Sequence, residues 1–140
     1  MDIRESEWSK CIDIINDNII ALISELPKLE VLNVSNGNFT GSGFKRMPTL
    51  KELNCSKCNQ LEDDGLIRVL ESATNLESLD IRGCYEITNA TLNVAIEVLK
   101  NRKNNSMLEI KMDRLTDIDI HELHKQPLAN FFYFIFIYSL

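Results

Sequence analysis

Residues 50–64 read Leu50-Lys51-Glu52-Leu53-Asn54-Cys55-Ser56-Lys57-Cys58-Asn59-Gln60-Leu61-Glu62-Asp63-Asp64, and this stretch decides the fold. Leu50, Leu53 and Cys55 make an apolar-x-x-apolar-x-apolar frame, and the two-residue step from Leu53 to Cys55 puts both on one face of a strand. Cys58 follows three positions later and Leu61 three after that. Asp64 then precedes Leu66, Ile67, Val69, Leu70 and Ala73. That spacing is the single apolar stripe of an amphipathic helix, and Asp64 is the expected N-cap. The unit is strand, turn, helix.

The frame recurs cleanly at Leu29-x-x-Leu32-x-Val34 and Leu76-x-x-Leu79-x-Ile81, and more weakly at Met107-x-x-Ile110-x-Met112 and Ile3-x-x-Ser6-x-Trp8. The first copy rests on its downstream register, because Ser9-Lys10-Cys11-x-x-Ile14-x-x-Asp17 aligns with Ser56-Lys57-Cys58-x-x-Leu61-x-x-Asp64. Starts at 3, 29, 50, 76 and 107 give steps of 26, 21, 26 and 31 residues. The helix stripe recurs too. Asp17 precedes Ile19, Ile20, Leu22, Ile23 and Leu26, and a longer helix from Asn89 to Arg102 is expected to bury Leu92, Ala95, Ile96 and Leu99. The second copy departs, since Asn36-Gly37-Asn38 and Gly41-Ser42-Gly43 predict a loop or short 3₁₀ turn where the others have a helix. Units that bury their apolar faces only against their neighbours stack into a solenoid. The expected fold class is α/β, a repeat solenoid of about five units over residues 1–120 with a parallel sheet on one side and helices on the other.

Taken together, Leu-x-x-Leu-x-Leu-x-x-Cys-x-x-Leu/Ile-Thr/Asp resembles the cysteine-containing leucine-rich repeat of F-box/LRR proteins and of the antagonist of mitotic exit network family. The resemblance spans residues 3–120 and is best at Leu50 to Asp64 and at Leu76 to Thr88, where Cys84-Tyr85-Glu86-Ile87-Thr88 follows the family pattern. Gly37 and Leu115 stand where the family has cysteine, and Ser6 where it has a core leucine. The resemblance implies a right-handed βα horseshoe of the ribonuclease-inhibitor type. It also implies the substrate-recognition role of a ubiquitin-ligase (SCF) receptor in ubiquitin-dependent protein degradation, here without its F-box because the repeats start near residue 3. A stand-alone adaptor or inhibitor, or an inactive fragment of a larger repeat protein, is the alternative. Three of the four steps fall within the 20–29 residues usual for such repeats.

Composition narrows the function class. The 140 residues are 44% hydrophobic and carry a net charge of −6, and the pI is near 4.9. Phosphate contacts need a basic surface, so no nucleic-acid role is expected, and a basic protein partner is the better electrostatic match. Met1 to Lys10 lacks an apolar h-region, which reads as an intracellular protein, cytoplasmic or nuclear, whose four cysteines stay reduced.

Cys55-x-x-Cys58 suggests a metal or redox pair. The repeat register argues otherwise: Cys55 holds the strand-core position of Val34 and Ile81, whereas Cys58 holds the turn position of Cys11 and Cys84. Cys11, Cys55, Cys58 and Cys84 are therefore expected to be buried structural thiols. His121-Glu122-Leu123-His124 has its histidines three apart, not the four that a helical zinc motif needs, and Gly37, Gly41 and Gly43 do not form a phosphate loop. Neither a catalytic site nor a cofactor is expected.

What remains is surface. Alternation along each strand turns Glu5 and Glu7, Val31 and Asn33, Glu52 and Asn54, Ser78, Asp80 and Arg82, and Glu109, Lys111 and Asp113 away from the core, onto the concave face. Six acids against two bases give that face a charge of −4. Such a face steers basic partners; a solvated strand face is equally polar without any such role. Asp80→Ala is expected to leave folding intact and weaken binding alone.

Residues 121–140 form a tail. Its last ten residues, Phe131 to Leu140, hold six of the ten aromatics, too short a run for a membrane span. It is read either as a hydrophobic cap or anchor, or as a chain end foreign to the repeat protein, the second being preferred.

Overall fold

The computed structural model of the chain describes residues 2–3, 15–103, 107–113 and 134–137. The described residues form three helices and six short strands, in the order β1 (Asp2–Ile3), α1 (Asp17–Ser24), β2 (Val31–Asn33), β3 (Glu52–Asn54), α2 (Asp63–Ser72), β4 (Ser78–Asp80), α3 (Asn89–Lys100), β5 (Glu109–Met112) and β6 (Phe134–Ile137). The strands form one parallel sheet in sequence order, with β2 to β5 at its centre.

Register follows the apolar frame. Leu32, Leu53, Leu79 and Ile110 lie side by side on neighbouring strands, and all are buried. Two residues on, Val34, Cys55, Ile81 and Met112 make a second buried stack. Leu29, Leu50 and Leu76 make a third, but the fifth frame shifts: Met107 is 52% exposed, and its neighbour Leu108 is the buried residue. The first frame also shifts. Ile3 pairs with Leu32, so the register puts Ile3, not Ser6, level with the core leucines. Ser6 and Trp8 lie outside the described residues. β6 adds to the free edge of β5, with Ile135 opposite Ile110.

The caps precede the expected ones, by one residue in α1, where Asp17 was expected, and by two in α2, where Asp64 was expected. Asn16 caps α1, its Oδ1 accepting from the backbone N–H groups of Asn18 at 3.0 Å and Ile19 at 3.2 Å. Glu62 is the N-cap of α2, and Thr88 caps α3 through the Ala90 N–H. Counting from these caps, the fourth residue onward is Ile20, Leu66 or Leu92, each fully buried, and the eighth is Ser24, Leu70 or Ile96. The expected stripe is narrower than the sequence suggests: Leu22 is 64% exposed, and Ile67 only half-buried.

Asp17 and Asp63, each one residue past the cap, latch neighbouring repeats together. The Asp17 carboxylate accepts from Thr40 N–H and Oγ1 at 2.9 Å each and from the N–H groups of Gly41 and Gly43 at 3.0 Å. Asp63 accepts from Thr88 N–H at 3.0 Å, from Thr88 Oγ1 at 2.6 Å and from Thr91 Oγ1. Burial alone would raise both carboxyl pKa values, but these hydrogen bonds to the charged form outweigh it and hold both below the usual aspartate value. The same position in α3 is Asn89, whose Oδ1 is buried with no hydrogen-bond partner among the described residues.

No helix lies between β2 and β3 among the described residues, as the glycine-rich sequence there predicts. Phe39, Phe44 and Met47 fill the space instead, with the two rings edge-to-face at 5.7 Å. This loop sits so close to α1 that a Cβ on Gly43 would lie 2.0 Å from the Asp17 carbonyl oxygen.

Candidate functional site

The site is built from the outward positions of β2 to β5 and the turns that follow them. Inward positions are packed apolar residues, so the chemistry available to a partner lies on the other side. Glu5, Glu7 and Cys11 lie outside the described residues, as do His121 and His124. The other predicted face residues fall into rows set by the register.

Val31, Glu52, Ser78 and Glu109 are in register and form the first outward row. Glu52 is exposed and the other three are half-buried. Asn33, Asn54, Asp80 and Lys111 form the second row. Here the side chains turn back on their own backbone. Asn33 Oδ1 accepts from the Ser35 N–H at 3.0 Å, Asn54 Oδ1 from the Ser56 N–H at 2.9 Å, and Asp80 Oδ1 from the Arg82 N–H at 3.2 Å. Each is an Asx turn, the local bond that short polar side chains form two residues on.

Those turns let the chain leave the sheet at the same point in each repeat. Asn36, Lys57 and Gly83 stand two residues past the second core stack, and all have positive φ, of 59°, 60° and 74°. Asn36 N–H donates to Ser56 O at 2.9 Å and Lys57 N–H to Arg82 O at 2.6 Å, stitching turn to turn. The Gly83 N–H donates to the Asp113 carboxylate.

Asp80 is corrected by this geometry. It is 6% exposed and holds Arg82 by two contacts, Nε at 3.0 Å and Nη2 at 2.6 Å. A group so engaged belongs to the framework, and Asp80→Ala is expected to cost stability as well as any binding. Glu109 lies 3.8 Å from Lys111. The described part of the face carries four acids and two bases, a charge of −2, with the ion pairs at 80–82 and 109–111 locally neutral.

The cysteines have separate roles, as their register predicts. Cys58 Sγ donates to Val34 O at 3.3 Å and Cys84 Sγ to Cys55 O at 3.0 Å, so each turn thiol ties its repeat to the preceding strand. Cys55 is itself a core side chain. Burial pushes all three thiols up, Cys58 to about 12 and Cys84 to about 11, away from the thiolate that metal binding or redox exchange requires.

Sequence reasoning missed one surface feature, an open groove of about 700 Å³ between α2 and α3, lined by Val94 and Val98 together with Glu71, Glu97 and Lys103. The intermediate spacing of Val94 and Val98, four apart and off the buried stripe, is the signal that would have found it. Among the described residues, no helix is long and apolar enough to cross a membrane.

No protein of known function and no solved structure shows significant similarity to the chain. Residues 46–70, the stretch that carries β3 and α2 as far as Leu70, match the leucine-rich repeat family, and the parallel sheet with its three helices is consistent with a small leucine-rich repeat unit.

Proposed function

We propose that this chain is a protein-interaction module that binds its partner through the outward face of β2 to β5. The observation that carries the reading is the contrast across the sheet: inward side chains are closed into one core, whereas on the outward first row Glu52 is exposed and Val31, Ser78 and Glu109 are half-buried. Leucine-rich repeats generally serve protein interaction and are usually non-catalytic, which supports a binding role over an enzymatic one. The five-repeat horseshoe belongs to this reading, with the sheet as its concave side.

Within that class, the cysteine-bearing repeat supports a substrate receptor of the F-box/LRR type, acting in an SCF ubiquitin ligase. The thiol-to-carbonyl bonds of Cys58 and Cys84 give the resemblance its physical content. A stand-alone adaptor or inhibitor uses the same face without delivering its partner for degradation.

A photo-crosslinking side chain at Ser78, on the face, and at Asn93, on the convex side, tests the binding reading in cells. Protein adducts at Ser78 that are absent at Asn93 are expected; equal or stronger capture at Asn93 overturns it. If the captured protein accumulates when this chain is depleted, the receptor role holds. An unchanged partner level assigns the adaptor role instead.

A further inference from the structure

The two ends of the sheet are built differently. β1 is two residues long, carries Asp2, and is followed in sequence by Arg4 and Glu5. A short edge strand with charges on it resists the addition of a strand from another chain. β6 has neither protection. It is four residues long, Phe134-Ile135-Phe136-Ile137, and residues 131–140 around it contain no charged residue, proline or glycine. β5 pairs with one edge of β6, and among the described residues no strand pairs with the other. A strand in a sheet directs its backbone N–H and C=O groups to both sides, so β6 keeps a row of them for a further strand.

We propose that this edge is an interface and that its occupant is β6 of a second copy of the chain, laid antiparallel about a two-fold axis. Charge favours that occupant. Each copy carries −6, so two copies repel where their charged surfaces meet, whereas an uncharged strand meets its own equivalent without that cost. Register favours it too. Phe134 and Phe136 hold the register positions of Glu109 and Lys111, and Ile135 and Ile137 those of Ile110 and Met112. Residues directly opposite in an antiparallel pair share a face, so the two-fold sets phenylalanine positions opposite phenylalanine and isoleucine opposite isoleucine.

Closure decides between the two edges a copy could offer. Adding β6 to β1 of a second copy would bring Asp2 beside an uncharged strand and leave another β6 free, which builds an open polymer. Pairing β6 with β6 uses both unprotected edges in one contact. A four-residue strand pair falls short of the roughly 1,200 Å² at which standard interfaces begin, so the dimer is weak, with a Kd on the order of 10 μM. The two outward faces then look the same way across one continuous sheet, and a dimer of the proposed binding module is bivalent.

Sedimentation velocity of the full chain without any partner, from about 1 to 200 μM, tests the interface separately from the binding reading. The weight-average mass is expected to rise from the 16.1 kDa of one chain toward twice that value and to stop there. Amide exchange in residues 131–140 is expected to slow over the same range while that of residues 1–10 stays constant. Phe136→Glu keeps an opposite charge in register with Lys111, so it does not oppose the β5–β6 pairing, but it puts a carboxylate on the edge of both copies. It is expected to weaken association at least tenfold with an unchanged melting curve at the lowest concentration, whereas Phe136→Leu associates like the parent. A mass of one chain at every concentration overturns the proposal. Growth past two chains overturns the closed pairing and assigns open addition. Dimerisation that survives Phe136→Glu, or exchange in residues 131–140 that ignores concentration, places the contact elsewhere and overturns it as well.

Discussion

Two repeats solve the same packing problem by different means. The third, built on β3 and α2, backs its strand with a ten-residue helix that buries Leu66, Val69 and Leu70. The second, built on β2, has no helix and fills the same layer with Phe39, Phe44 and Met47. On the sheet side the two are interchangeable: Leu32 and Leu53 are in register, as are the Asx-turn residues Asn33 and Asn54. The strand and turn therefore define the repeat, and the convex layer is free to vary provided it supplies apolar volume and meets the backbone of its neighbour.

The most disruptive test of that comparison truncates the loop-backed core. Phe44→Ala is expected to cost about 3–5 kcal/mol in urea unfolding, as much as the strand-core change Leu79→Ala at about 2–5 kcal/mol. A loss under 1 kcal/mol for Phe44→Ala would mean that the second repeat is not a packed unit. Next comes the close approach of loop to helix. Gly43→Ala places a Cβ against the Asp17 carbonyl oxygen and is expected to cost about 1–3 kcal/mol, read as a drop in Tm.

The latches are next in size and give a pH signature. Asp17→Asn and Asp63→Asn are each expected to lose about 1–3 kcal/mol at pH 7, since both carboxylates accept several hydrogen bonds in their charged form. Their folded pKa values lie below the unfolded value, so the stability they supply is complete above about pH 4 and is lost as pH falls through the folded values. Urea titrations from pH 7 to pH 2 should show each variant converging on the parent at the acid end. Asn89→Ala, at the equivalent position of α3, is expected to change stability by less than about 0.5 kcal/mol, because its Oδ1 has no hydrogen-bond partner among the described residues. One small effect is expected to be a gain: Lys57→Gly relieves a lysine held at φ 60°, and is expected to stabilise by about 0.5 kcal/mol.

The register of β2 to β5 was legible because period-two apolar spacing admits one alignment only, and a slip would turn leucines outward; in the degenerate first frame it was not, since Ile3 rather than Ser6 pairs with Leu32. Helix starts were less so. Asp17 and Asp64 look like caps, but the carboxylates of Asp17 and of Asp63 bond across repeats, and the N-cap positions fall to Asn16, one residue before Asp17, and to Glu62, two residues before Asp64. The aromatic filling of the second repeat was hidden because its glycines announce a loop, while Phe39 and Phe44 show no helical period. On the site, outward positions were readable from alternation alone, but the difference between rows was not, since an Asx turn is a three-dimensional bond. Its trace was present: Asn33, Asn54 and Asp80 are all short amide or carboxylate side chains at one repeat position, each two residues before the bonded N–H. Met107 misled because apolar character alone does not distinguish it from its neighbour Leu108.

The central claim is that the Asx turns of one outward row build the fold while the adjacent outward row adds little to its stability, and stability measured for Glu52→Ala and Asn54→Ala tests it most directly. They are outward neighbours on β3, two residues apart. Asn54→Ala is expected to lose about 1–2 kcal/mol in urea unfolding through its Asx turn, and Glu52→Ala to stay within about 0.5 kcal/mol of the parent. Equal losses, or a larger loss for Glu52→Ala, would contradict the account.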